Sequence, residues 1–284
     1  MTLQLGPRQV EEFYGAVTDT MPVLVSGMKD GQQVDIEREL MPIAFLYYQR
    51  VNGQEPFRAN MRGNYFFTVA GAAKDREGNH KWDLRSPLLR DVEVVNPSNL
   101  SMGAAKISDE QYEAISGKRV REVPKDKVAE LHGRGYARKE GSDLFVPAND
   151  DVEEFHEFLN QGRINLAEYA GKVAEETSLG LGRPVNHVMN LYFDQSNHGS
   201  AVVRSVVVYS SDHSSDVVGD DSLNDSYGFL VGVAPEALDA FYKADGKVPR
   251  RKEVVDALYA HFESAPLTNG VTKKGLDEVL RKYL

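Results

Sequence analysis

Ser200-Ala201-Val202-Val203-Arg204-Ser205-Val206-Val207-Val208-Tyr209 is the stretch on which the fold turns. Side chains alternate across a strand, so Val202, Val206 and Val208 share one face and Val203, Val207 and Tyr209 share the other. Both faces are apolar, which predicts an interior strand covered on both sides. Arg204 interrupts the first face, and a buried guanidinium requires an anionic partner. That partner is either an internal carboxylate or a carboxylate or phosphate on a bound molecule, which makes Arg204 a candidate anion clamp.

Upstream, Val185–Asp194 reads as a second strand, joined to the first as a hairpin through Gln195-Ser196-Asn197-His198-Gly199, with Asp194 and His198 able to share a small site. Downstream lies a long polar loop, residues 210–225, and then a strand over Tyr227–Val233. Asp212, His213, Asp216, Asp220 and Asp221 in that loop offer the hard ligands that Mg²⁺, Mn²⁺ or Ca²⁺ prefer. The order does not fit an EF-hand. Gly219-Asp220-Asp221 matches the aspartate turn of palm-type polymerases in three residues only.

Working outward, Val10, Phe13, Tyr14 and Val17 have helical spacing. The runs Pro22–Met28, Ile43–Val51, Asn64–Ala73 and Val92–Val95, separated by turn signals such as Arg76-Glu77-Gly78-Asn79, predict an antiparallel β-rich region over residues 1–105. Residues 106–284 mix helices and strands and close on a C-terminal antiparallel sheet and three helices. Ser108 with Gln111 has capping-box spacing, Pro124–His132 is a helix stopped by Gly133, and Asn149 and Asn165 cap two more. Elements come in blocks, so the fold class is α+β, with one large domain as the alternative to two.

Lys118, Arg119, Arg121, Lys125, Lys127, Arg134, Arg138 and Lys139 face only four acidic residues between Gly117 and Glu140, a local charge of +4 in a chain of −10. Two helices followed by a basic hairpin in this stretch loosely resemble a winged helix, and that resemblance implies contact with nucleic-acid phosphates. An acidic protein partner fits the same charge. A further cluster, Lys243, Lys247, Arg250, Arg251 and Lys252, opens a helix N-terminus, where the macrodipole gives cations no stabilising role.

Composition excludes several classes. The chain has 284 residues and no cysteine, so disulfides, thiolate metal sites and cysteine nucleophiles are absent and a cytoplasmic location is expected. No apolar run reaches membrane-spanning length, and the first ten residues lack a signal pattern. Phosphate-loop and hydrolase-elbow motifs are missing, Gly180-Leu181-Gly182 precedes a strand instead of a helix, and His156 reads as a helix-surface residue. The resulting expectation is a non-enzymatic protein that binds nucleic acid or an acidic protein. The alternative is a metal-dependent hydrolase or phosphotransferase built on residues 210–225.

Overall fold

The structure, a computed structural model, describes residues 10–14, 28–29, 32–33, 39–53, 63–210, 214–225, 229–233 and 235–243. In chain order the elements are β1 Val10–Tyr14, β2 Met28–Lys29, β3 Gln32–Gln33, β4 Glu39–Leu40, α1 Ile43–Asn52, β5 Phe66–Lys74 and β6 His80–Asp83. There follow β7 Leu100–Ser101, β8 Ala104–Lys106, α2 Asp109–Ala114, β9 Val120–Val123, α3 Lys125–Leu131, β10 Arg134–Arg138 and β11 Phe145–Pro147. The last are α4 Asp150–Asn160, α5 Leu166–Leu181, β12 His187–Phe193, β13 Val202–Val208, β14 Val217–Gly219, β15 Phe229–Val233 and α6 Pro235–Lys243.

One mixed sheet carries the α+β fold, with the path β1-β15-β5-β13-β14-β12-β10-β11. β13 is central and all seven of its residues are buried, as its two apolar faces require. Val206 and Val208 join one core with α1, α4 and α5, while Val203 and Val207 join a second core with Leu89, Ile107 and Tyr112. β5 splits the same way: Phe66, Ala70 and Ala72 point to the first core, and Phe67, Val69 and Ala73 to the second. Among the described residues no helix is long and apolar enough to cross a membrane.

Local signals hold where short-range chemistry sets them. Ser108 and Gln111 form both halves of a capping box. Asn149 and Asn165 accept from Val152 N and Glu168 N at the starts of α4 and α5. Gly133, at φ 71°, ends the segment after α3, and the reversal between β5 and β6 is closed by Asp75 N to Asn79 O at 3.0 Å.

Other expectations are corrected by long-range packing. β12 and β13 do not form a hairpin: β14 lies between them, parallel to β12 and antiparallel to β13. The antiparallel partner that β13 takes along its length is β5, through Val202↔Lys74 to Val208↔Phe66. The sheet is therefore mixed, since β15 also runs parallel to β5. Val10–Tyr14 is a strand, not a helix, because it pairs with β15 over five residues. Ile43–Val51, expected as a strand, lies in helix α1, where seven buried residues surround the axis and erase the periodicity. Val92–Val95 is turn, and β6 went unanticipated because His80, Lys81 and Asp83 are buried polar residues. Residue 105 falls inside β8, and strands on either side of it pair in the one sheet.

His156 is also corrected: it is fully buried, and its Nε2 lies 2.8 Å from Met189 O. In β14 an added Cβ on Gly219 would stand 2.6 Å from Trp82 Cζ2 and 3.0 Å from Ala72 Cβ. Replacing it with valine forces overpacking against the indole, and urea unfolding of Gly219→Val should show a loss of about 2 kcal/mol or more. An unchanged midpoint would mean that β14 does not seat against Trp82.

Candidate functional site

β13 changes partner on the side away from β5. Its C-terminal end pairs with β14 through Val207↔Val218, and its N-terminal end with β8 through Val203↔Ala105. Between these pairings the chain leaves both neighbours, at the Met102-Gly103 turn and in the segment that begins at Asp220. Arg204 sits at that gap. Its Nη2 donates to Met102 O at 2.8 Å and its Nη1 to Asp221 O at 2.9 Å. Its Nε donates to Asp194 Oδ2 at 2.7 Å, with both side chains buried.

Asp194 belongs to a third loop, residues 194–200. Its carboxylate also accepts from Ser196 N at 2.8 Å and meets His198 Nε2 at 2.7 Å. Lys74 Nζ donates to Ser196 O at 2.6 Å, and the His80 ring hydrogen-bonds to the Asp194 main chain. Burial alone would raise the Asp194 carboxyl, but the hydrogen bond and charge of Arg204, helped by Ser196 and His198, outweigh it and hold the pKa at about 2. Burial pushes His80 down to about 4. Lys74 is lowered as well, first by burial.

The loop 220–225 crosses the second core. Leu223 is buried and its N–H donates to Gly103 O at 2.9 Å, which ties this loop directly to the Met102 turn. Asp221 Oδ2 accepts from Tyr209 OH at 3.3 Å. Burial, then Asp225 and Asp220 beside it, push the Asp221 carboxyl up to about 6. Met102, at φ 51°, is 64% exposed, and Asp220 and Asn224 are exposed with it. Gly103, at φ 77°, leaves no room for a Cβ against Ser222 Oγ.

The described residues of the acidic loop do not converge as a metal site. Asp212 and His213 lie outside the described residues. Asp216 precedes β14, and its Oδ1 accepts from Asn190 N at 3.0 Å and Asn190 Nδ2 at 2.9 Å. Asp220 and Asp221 follow β14, so a strand holds the two groups apart. Among the described residues no three His, Asp or Glu side chains are placed to hold a metal ion. Asp194 and His198 do meet, but their third neighbour is the Arg204 cation, which opposes another positive charge. Arg204 in turn is committed to internal oxygens, as a structural tie in place of an anion clamp.

Four of the eight basic residues of the segment are paired internally. Arg119 pairs with Asp83 at 2.8 Å, Arg121 reaches Glu154 at 3.5 Å, and Arg138 pairs with Asp143 at 2.6 Å. Lys127 lies 2.7 Å from Glu130 and 3.0 Å from Asp151. Lys118, Lys125, Arg134 and Lys139 make no ion pair among the described residues. The winged-helix resemblance fails because Val120–Val123 between the two helices is strand β9, paired with β6. Of the second cluster only Lys243 is described, bonded to Asp239 at 3.2 Å. The part played by Lys74, His80 and Met102 carries no sequence signal: it arises from strands and turns far apart in the chain.

No protein-family model matches the chain, and no curated protein does. A solved chain described as "Accommodation of massive sequence variation in Nanoarchaeota by the C-type lectin fold" superposes with a TM-score of 0.52 over 81% of this chain and 100% of that one, at 12% identity. The fold is C-type lectin-like. In this C-type lectin-like chain the three loops that meet at Arg204 all leave the central mixed sheet.

Two pH effects follow. Asp221 has a folded pKa above its unfolded value, so its contribution is present below about pH 4 and lost as pH rises through 6. Asp221→Asn should therefore raise stability at pH 7.5 by about 1–2 kcal/mol and leave it unchanged at about pH 3.5. His80 and His156, both lowered to about 4 by burial, act in the opposite sense. The unfolded chain takes up protons on them below about pH 6.5, so stability should fall from there toward pH 4, by about 1–2 kcal/mol per pH unit. Denaturant titrations across that range measure both; a flat profile would refute the histidine assignment.

Proposed function

We propose that this chain is a non-enzymatic binding protein that uses the C-type lectin-like frame to hold a loop surface against a protein partner. The observation that carries the proposal is the junction at Arg204. Three loops distant in sequence are fixed to one another beneath a surface that presents Met102, Asp220 and Asn224 to solvent. A rigid surface loses less conformational entropy when a partner binds. The description of the solved chain of this fold, which speaks of accommodating sequence variation, supports a display role as well.

A nucleic-acid partner is the second reading, and Lys118, Lys125, Arg134 and Lys139, which make no ion pair among the described residues, favour it. Against it stand the net charge of −10 and the internal pairing of the other four basic residues. Photo-crosslinking side chains placed at residue 102 or 224, and separately at 118, distinguish the two. Exposure to an extract of the source cells should give discrete protein adducts from 102 and 224 and none from 118. Duplex and single-stranded oligonucleotides should show no saturable binding. Tight oligonucleotide binding that weakens steeply with salt, and is lost when those four basic residues become alanine, would overturn the protein-partner proposal in favour of the second.

A further inference from the structure

Side-chain contacts and main-chain contacts hold a loop in different ways. A loop fastened through its carbonyl oxygens keeps its path whatever side chain stands there, because every residue has that acceptor. Arg204 grips Met102 and Asp221 only by their carbonyl oxygens, and Leu223 joins Gly103 by its N–H. The one side chain that Arg204 bonds among these loops is that of Asp194, which is buried beneath the surface. The Met102 side chain points to solvent from a backbone conformation that asparagine accepts more easily than methionine. Asn224 accepts from Ser222 Oγ at 2.6 Å within its own loop.

We infer that Arg204 is the positioning residue of the loop surface, and that Met102 and Asn224 are replaceable recognition positions on it. The inference deepens the binding-protein proposal and rests on it for the word recognition. The division of labour between main-chain grip and exposed side chain is read from the contacts alone. A planar guanidinium sends donors in three directions at once, toward Met102, Asp221 and Asp194. Lysine at this position keeps the charge and loses that geometry.

The test is hydrogen exchange on the full chain with thermal unfolding beside it. Met102→Asn and Asn224→Lys, singly and together, should move Tm by no more than about 2 °C. Arg204→Lys should speed amide exchange in segments 99–104 and 220–225 by about tenfold or more, with 66–74 and 203–207 unchanged. Asp194→Asn keeps both carbonyl contacts, so it should loosen segment 194–200 alone, and it decides the question if Arg204→Lys does not fold. A Tm loss above about 5 °C in the Met102 or Asn224 variants would overturn the inference. So would unchanged loop exchange in Arg204→Lys, or equal loosening of all three loops in Asp194→Asn. No partner is present in these measurements, so a failed search for one leaves the positioning role intact, and a failed exchange result leaves the crosslinking test standing.

Discussion

The buried contact between Arg204 and Asp194 is the constraint around which the rest is arranged. β13 is flanked by β5 along its length but by two different short strands on its other side, and the exchange from β8 to β14 leaves a break in the ladder. Polar groups at such a break must be satisfied without water. A single guanidinium does so, taking two carbonyl oxygens from the broken edge and one carboxylate from the loop after β12. The carboxylate in turn sets the path of loop 194–200 through Ser196 and His198. Two charges taken out of water in this way add little net stability, yet removal of one partner costs about 3–5 kcal/mol because the other stays buried and unpaired. The contact therefore acts on uniqueness of the loop arrangement more than on the depth of the folded state.

That arrangement separates the packed cores from the exposed turns. The two cores on either side of the sheet are filled by α1, α4 and α5 on one face and by the segment around Leu89, Ile107 and Tyr112 on the other. Outside them lie turns whose side chains carry no share of the packing, Met102 among them. Asp221 shows the tension of the boundary: it is drawn partly into the second core beside Tyr209 while two other aspartates stand near it, and burial with those charges pushes its carboxyl up to about 6. The fold is shared with the solved chain at 12% identity, so the overall path of the chain persists when most side chains differ.

Legibility followed the range of the interaction. The capping box at Ser108, the caps at Asn149 and Asn165 and the stop at Gly133 are written in three or four adjacent residues, and each is present. α1 was misread because a helix buried all round has the same apolar run as a buried strand. β6 was missed because the burial of His80, Lys81 and Asp83 depends on partners elsewhere, including Asp194, Tyr112 and Arg119. The basic stretch showed its charge but not its pairing. Glu154, Asp151 and Asp83, which neutralise three of its eight basic residues, reach it through α4 and β6.

By itself the sequence determined that the chain is α+β, that the run through Tyr209 holds an interior strand covered on both faces, observed as Val202–Val208, and that Arg204 requires an anionic partner. Those conclusions rest on side-chain alternation and on the energy of a buried charge, both properties of a short segment. Only the tertiary structure decided that β14 stands between β12 and β13, that the partner of Arg204 is Asp194, and that the loops carrying the exposed Met102, Asp220 and Asn224 are tied together through Arg204 and the Leu223–Gly103 bond. Strand order and loop convergence are set by which surfaces bury one another across a hundred residues or more. No local pattern encodes that choice, because the competing pairings would satisfy the same backbone groups.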